Sequence, residues 1–163
     1  MAITREKKKD ILDKLKGILE KSKSVVFVNF HGLSVKDTTS MREKLREEGV
    51  GYFVSKKTLA GLALKESKAK GHIPSLDGEL AIAFSEGDET APARKVYDFA
   101  KGFKNNLQIL GGIFDGVFKN KEEMTEIAEI PSTLVLKGMF VNVINSPIQG
   151  LVIALNKIAE KKN

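Results

Sequence analysis

A chain of 163 residues, 42% apolar and 29% charged, is long enough for one ordinary domain plus an appendage and can build a core. It has no cysteine, no tryptophan and two histidines. That excludes disulfides, thiolate catalysis and cysteine-based metal sites, and leaves thin material for acid–base or metal chemistry. The net charge of +6 hides a gradient: 17 Lys and Arg against 9 acids in residues 1–70, 6 against 11 in 71–130, and 4 against 1 in 131–163. A basic first part followed by an acidic middle suggests a polyanion-binding face on one side of the molecule. The plainer reading is that the lysines merely solvate helix faces.

The amino-terminal residues carry charge with no apolar stretch behind them, so no secretory signal is expected. Uncharged apolar runs such as Leu151–Leu155 are too short to span a bilayer, which points to the cytoplasm. From Thr4 to about Lys23 the spacing of Ile11, Leu12, Leu15, Ile18 and Leu19 predicts an amphipathic helix. Thr4 is its expected N-cap, though Lys7 stands where a capping box would want Glu or Gln. Val25–Val28 reads as a strand buried on both faces. Gly32 interrupts it, Ser34 caps a helix over Val35–Glu48, and Gly49 stops that helix.

Gly51–Val54 is the second expected strand, and Ser55 is expected to open a third helix that fades before Gly71. Ile73-Pro74 and Asp77-Gly78 are turn signals, followed by a strand over Leu80–Phe84 and a helix over Thr90–Phe103. Leu107–Ile113 is a further strand, Asp115-Gly116 a tight hairpin turn, and Lys121–Ile130 a short acidic helix stopped by Pro131. Together these predict an α+β sandwich over residues 1–130. Beyond it lies a helical stripe through Leu134, Leu136, Phe140, Val143, Ile144, Ile148, Leu151, Val152, Leu155 and Ile158. Pro147 either kinks this helix or divides it in two, with Ser146 as the second N-cap. Such a stripe folds back on the core or is offered to partners.

No catalytic constellation stands out. His31 and His72 lack ligand spacing, and Gly111–Gly116 lacks the Lys-Ser/Thr ending of a phosphate loop. The basic clusters are better candidates. Lys7, Lys8 and Lys9 open the first helix, Lys36 and Arg42 lie on the second, and Lys56 and Lys57 precede the third. Ammonium groups beside the free amides of a helix start suit phosphate oxygens. The loop from Asn29 to Ser34, with His31 and Gly32, also follows a strand, and the two corners could lie side by side if their strands are neighbours.

Gly32-Leu33-Ser34-Val35, then Met41-Arg42 and Lys44-Leu45-Arg46, resemble the signature of the bacterial stalk-base family, large-subunit ribosomal protein ten. Val54–Leu59 with Ala63-Leu64 looks like that family's basic-Asn-Thr-Leu motif. Further matches are Leu80–Ser85, Phe99-Ala100-Lys101, Gly111-Gly112, Gly116, Ile130-Pro131-Ser132 and the terminal Leu155–Lys162. Lys57 departs from the family's usual asparagine, Glu79 from a common proline and Asn29 from an often acidic residue.

The resemblance implies a ferredoxin-like rRNA-binding domain over 1–130, beside ribosomal protein eleven, and a helical segment over 131–163. The latter is expected to carry dimers of the acidic stalk protein, which recruit translational GTPases. The candidate RNA-binding residues are then Lys7, Lys8, Lys9, His31, Gly32, Ser34, Lys36, Arg42, Lys56, Lys57 and Thr58. The candidate partner-binding residues are Phe140, Val143, Ile144, Ile148, Leu151, Val152, Leu155 and Ile158. Some family members carry a third apolar stretch; two are present up to Asn163, so two dimers are expected. The resemblance implies no enzyme activity, metal, cofactor or membrane, and a place on the cytoplasmic ribosome. Two rivals remain: a free-standing regulatory or enzyme subunit whose last helix packs in cis, and an amphipathic membrane-surface helix. Against the latter, only Lys137 and Lys157 are positive within residues 134–158.

Overall fold

A computed structural model describes residues 5–67, 69–102 and 106–162. Chain contacts separate Met1–Ile130 from Pro131–Asn163. The first unit runs α1 (Arg5–Lys21), β1 (Ser24–Phe30), α2 (Val35–Glu47), β2 (Gly51–Val54), α3 (Lys57–Glu66), β3 (Leu80–Ser85), α4 (Ala91–Gly102), β4 (Leu107–Phe114), β5 (Val117–Asn120) and α5 (Lys121–Glu129). The second unit contains α6 (Thr133–Lys162).

The strands form one sheet in the order β2-β3-β1-β4-β5, antiparallel throughout. Two interleaved β-α-β units, β1-α2-β2 and β3-α4-β4, account for four of the five strands. That is the expected α+β class with ferredoxin-like strand order. Both faces of this sheet are covered. Val26 and Val28 pack with Met41 and Leu45 of α2, Val96 of α4 and Met124 of α5. Val25 and Phe27 point the other way, onto Leu15 of α1 and Leu59 and Leu64 of α3. Alternation along a strand sends successive side chains to opposite faces, so β1 needs apolar residues at every position. All of Ser24–Val28 is buried. The doubly apolar run in the sequence has this cause.

Ser34 caps α2 as expected, accepting a hydrogen bond from the Asp37 amide at 3.1 Å. Asp115 and Gly116 make the hairpin with φ of 51° and 72°. One expectation fails and one open alternative is decided. The third helix begins at Lys57, not Ser55, because β2 stays hydrogen-bonded past its last residue: the Ser55 amide donates to the Leu80 carbonyl at 3.2 Å. In the second unit Ser146 is no N-cap, since α6 runs unbroken through Pro147. The expected Thr4 cap and the Phe103 helix end lie outside the described residues.

Candidate nucleic-acid interface

Antiparallel pairing sets the carboxyl ends of β1 and β2 and the amino ends of β3 and β4 at one end of the sheet. Phe30, Lys56, Lys57, Thr58 and Ile11 line a single cleft there. Ile11 is one helical turn beyond Lys7, so the exposed Lys7, Lys8 and Lys9 belong to this same end. Lys36, in the first turn of α2, belongs to it too. None of Lys7, Lys8, Lys9, Lys36, Lys56 and Lys57 is ion-paired among the described residues. Acids are present as well: Asp37, Asp77 and Glu79 sit in the adjoining turns. The two strand-to-helix corners do share an end, but not as neighbours. β3 runs between β1 and β2, which separates the corners by about 10 Å, two strand spacings.

The His31–Ser34 corner is held by Asn106, the residue just before β4. The Asn106 side chain donates to the Gly32 carbonyl at 2.9 Å, and the His31 amide donates to the Asn106 carbonyl at 2.9 Å. Gly32 takes φ of 70°, a left-handed backbone that glycine adopts without penalty. Asn106 escaped sequence reading because an asparagine before a strand looks like any turn residue. The Ser34 hydroxyl is committed to its helix: besides accepting from the Asp37 amide, it donates to the Asp37 carboxylate at 2.7 Å. Its expected part in a binding site therefore reduces to shaping α2's start. His31 is exposed in the loop. Two polar atoms near the rim, Asn29 Oδ1 and Ser55 Oγ, are buried without a hydrogen-bond partner.

Arg42 does not join the rim. It lies two turns into α2 with its guanidinium 5.4 Å from the centre of the Tyr52 ring. Burial pushes the Tyr52 phenol up to about 12, with Arg42 opposing. Arg42, Arg46 and Tyr52 line a separate cleft beside β2.

In the second unit, every expected partner-binding residue is exposed, from Val152 at 50% to Val143 at 70%. Val135, Met139, Val141 and Ile153 are exposed as well and were missed. At 100° per residue, Val135, Met139 and Ile153 fall on the far side of the expected stripe. The helix is thus apolar on more than one face. Thr133–Lys161 is long and apolar enough to cross a membrane by length and composition. Reading only short apolar runs overlooked this, because scattered Asn, Ser and Gln residues interrupt an uncharged stretch over residues 138–156.

A cationic rim on one unit and an exposed apolar helix on the other are surfaces suited to binding partners, as in a structural protein of a larger assembly. Comparison with known proteins makes this specific. The sequence pattern of the family Ribosomal protein L10 matches residues 3–101. A large ribosomal subunit protein uL10 of Dehalococcoides mccartyi is 38% identical over 152 residues, 93% of this chain and 86% of the relative. The protein of the same name in Bacillus licheniformis is 35% identical over 162 residues, 99% of this chain and 97% of the relative. That of Clostridium tetani is 36% identical over 158 residues, 97% and 91% of the two chains. The chain belongs to the ribosomal protein L10 family, as its motifs implied. It is a structural protein of the cytoplasmic ribosome and not an enzyme. Membership sets aside the free-standing regulator or enzyme subunit.

Proposed function

We propose that this chain anchors the stalk of the large ribosomal subunit: its rim binds large-subunit rRNA, and α6 carries acidic stalk-protein dimers. The observation that carries the RNA half is the gathering at one end of the sheet of Lys7, Lys8, Lys9, Lys36, Lys56 and Lys57, none ion-paired among the described residues. Lysines and the open amides of α3, whose N-cap Lys56 makes no side-chain cap, suit backbone phosphates. In this reading the neighbour is ribosomal protein eleven, and the dimers recruit translational GTPases.

Pro147 lies at the middle of α6 and leaves a stretch of about four helical turns on either side. The first offers Phe140, Val143 and Ile144, the second Leu151, Val152, Leu155 and Ile158. One small helical dimer needs about that much length to bury a face, so two dimers bind per chain.

The test of the RNA half is Lys56→Ala with Lys57→Ala in the full chain, titrated against the organism's own large-subunit rRNA. Losing two phosphate contacts lowers affinity about 10-fold at physiological salt, with little change in melting because exposed charges add little stability. Unaltered affinity would overturn the rim as the RNA site. Native mass spectrometry with the acidic partner tests the other half: two dimers per chain are expected, and three or none would refute the count.

A further inference from the structure

The described cations fall into two groups. Lys16, Lys23, Arg94, Lys95 and Lys119 are ion-paired with Glu66, Glu89, Asp88, Glu48 and Glu123 respectively. The rest have no such partner among the described residues, and of these Lys14, Lys21, Arg42 and Arg46 border β2, an edge strand of the sheet. Lys14 and Lys21 flank a cleft over Phe53 and Phe84. Arg42 and Arg46 flank the cleft beside Tyr52, whose side chain packs on the opposite face of the sheet from Phe53.

This charge is continuous with the rim. Lys7, Ile11, Lys14, Ile18 and Lys21 follow one another at steps of four and three, so they share one face of α1. Ile11 lines the rim cleft with Lys56 and Lys57, and Ile18 lines the cleft over Phe53. From Lys7 to Lys21 the stripe extends about 21 Å along the helix. Two acids at this edge are ion-paired, Glu48 with Lys95 and Asp88 with Arg94. Glu86 faces both clefts, and Asp10 of α1 lies one turn from both Lys7 and Lys14, so the stripe is cationic by three lysines to one acid. Asp13 and Glu20 of α1 act on Lys16, on the side that meets Glu66 of α3.

We propose that the RNA-binding surface continues from the rim along the β2 edge, with Lys14 and Lys21 taking phosphates from one face of the sheet and Arg42 and Arg46 from the other. The inference rests on the reading of the rim as an RNA site and adds residues to it. A long polyanion fits better than an acidic peptide added as a strand. The charge stripe outlasts the four-residue β2, which spans only about 13 Å of pairing edge. Phosphate neutralisation needs no strand partner, whereas an added peptide depends on one.

The test uses the full chain with Lys14→Gln, Lys21→Gln and Arg46→Gln together, leaving Arg42 on Tyr52. Binding to the organism's own large-subunit rRNA is followed between about 50 and 200 mM salt. The expected result is a loss of about 10-fold or more at physiological salt, with the slope of log affinity against log salt smaller by about two. A charge-keeping variant, Lys14→Arg, Lys21→Arg and Arg46→Lys, retains the slope. Wild-type affinity and slope in the Gln variant, while Lys56→Ala with Lys57→Ala loses binding, would confine RNA to the rim and overturn this proposal alone. If neither set of changes alters RNA binding, the rim reading falls with it. Weakened affinity at an unchanged slope also overturns the proposal, since that loss is not electrostatic. So does a Gln variant that keeps RNA but loses a poly-glutamate peptide bound by the wild type, which would reassign the edge to acidic protein.

Discussion

Replacing Gly32 with alanine probes the corner where β1 turns into α2. At φ of 70° an added Cβ would meet Asn106 Nδ2 at 3.6 Å, an ordinary contact, so sterics with neighbours cost nothing. The cost lies in the backbone, about 1–2 kcal/mol for a left-handed alanine. A stiffer unfolded chain offsets about 0.5 kcal/mol of this. The alternative is a flip to negative φ, which gives up the Asn106 hydrogen bond to the Gly32 carbonyl and that from the His31 amide. Two such bonds are worth about 1 kcal/mol each, so staying in place is the cheaper course. The net loss of about 1 kcal/mol lowers the melting temperature by roughly 3–5 °C for a domain of this size. Calorimetry of the full chain measures it. Gly32→Asn should lose less than alanine, because asparagine tolerates left-handed backbone better. A Gly32→Ala protein that melts with the wild type, or an asparagine variant less stable than the alanine one, would refute the assigned strain.

Leu155→Asp should release one of the two stalk dimers and keep the other, because a carboxylate on a covered stripe is desolvated without a partner; removal of Ala154 to Asn163 should do the same. Native mass spectrometry reads both, and retention of both dimers after the deletion would show that the sites do not divide at Pro147. Asp88 is pulled between partial burial, which raises its pKa, and hydrogen bonds from the Thr90 amide, the Thr90 hydroxyl and Arg94, which lower it and win. A depressed folded pKa contributes stability above the unfolded value, near about 3.9, and loses it as pH falls through the folded one. Asp88→Asn should therefore be less stable than the wild type at pH 7, with the gap closing in acid; a gap independent of pH would remove the linkage.

Much of the first unit was legible because its signals are local. The hairpin at Asp115-Gly116 and the cap at Ser34 are short-range chemistry, and the burial of β1 on both faces is written in four consecutive apolar residues. What sequence could not supply was strand order. Only the insertion of β3 between β1 and β2 decides how far Lys56 stands from His31, and only the docking of α1 brings Lys7 to the same end. Arg42 groups with Lys36 by sequence because the two share a helix, yet six residues of helix carry it about 9 Å along the axis, to the cleft beside Tyr52. Ser55 looked like a helix start, but pairing with Leu80 holds it in the sheet. On α6 the apolar spacing showed one stripe and hid the second, since the eye follows the strongest period.

The exposure of α6 bears on how much of the protein a cell can hold. Its large apolar side chains are 48% to 80% exposed, and such a surface adheres to whatever is near until something covers it. A covering partner stabilises the covered form in proportion to its own free concentration relative to Kd. On the proposed function, production of this chain beyond its stalk partner's supply therefore yields no reserve. It yields orphans, carrying a long sticky helix, that chaperones and proteases clear, so the steady-state level follows the scarcer of the two.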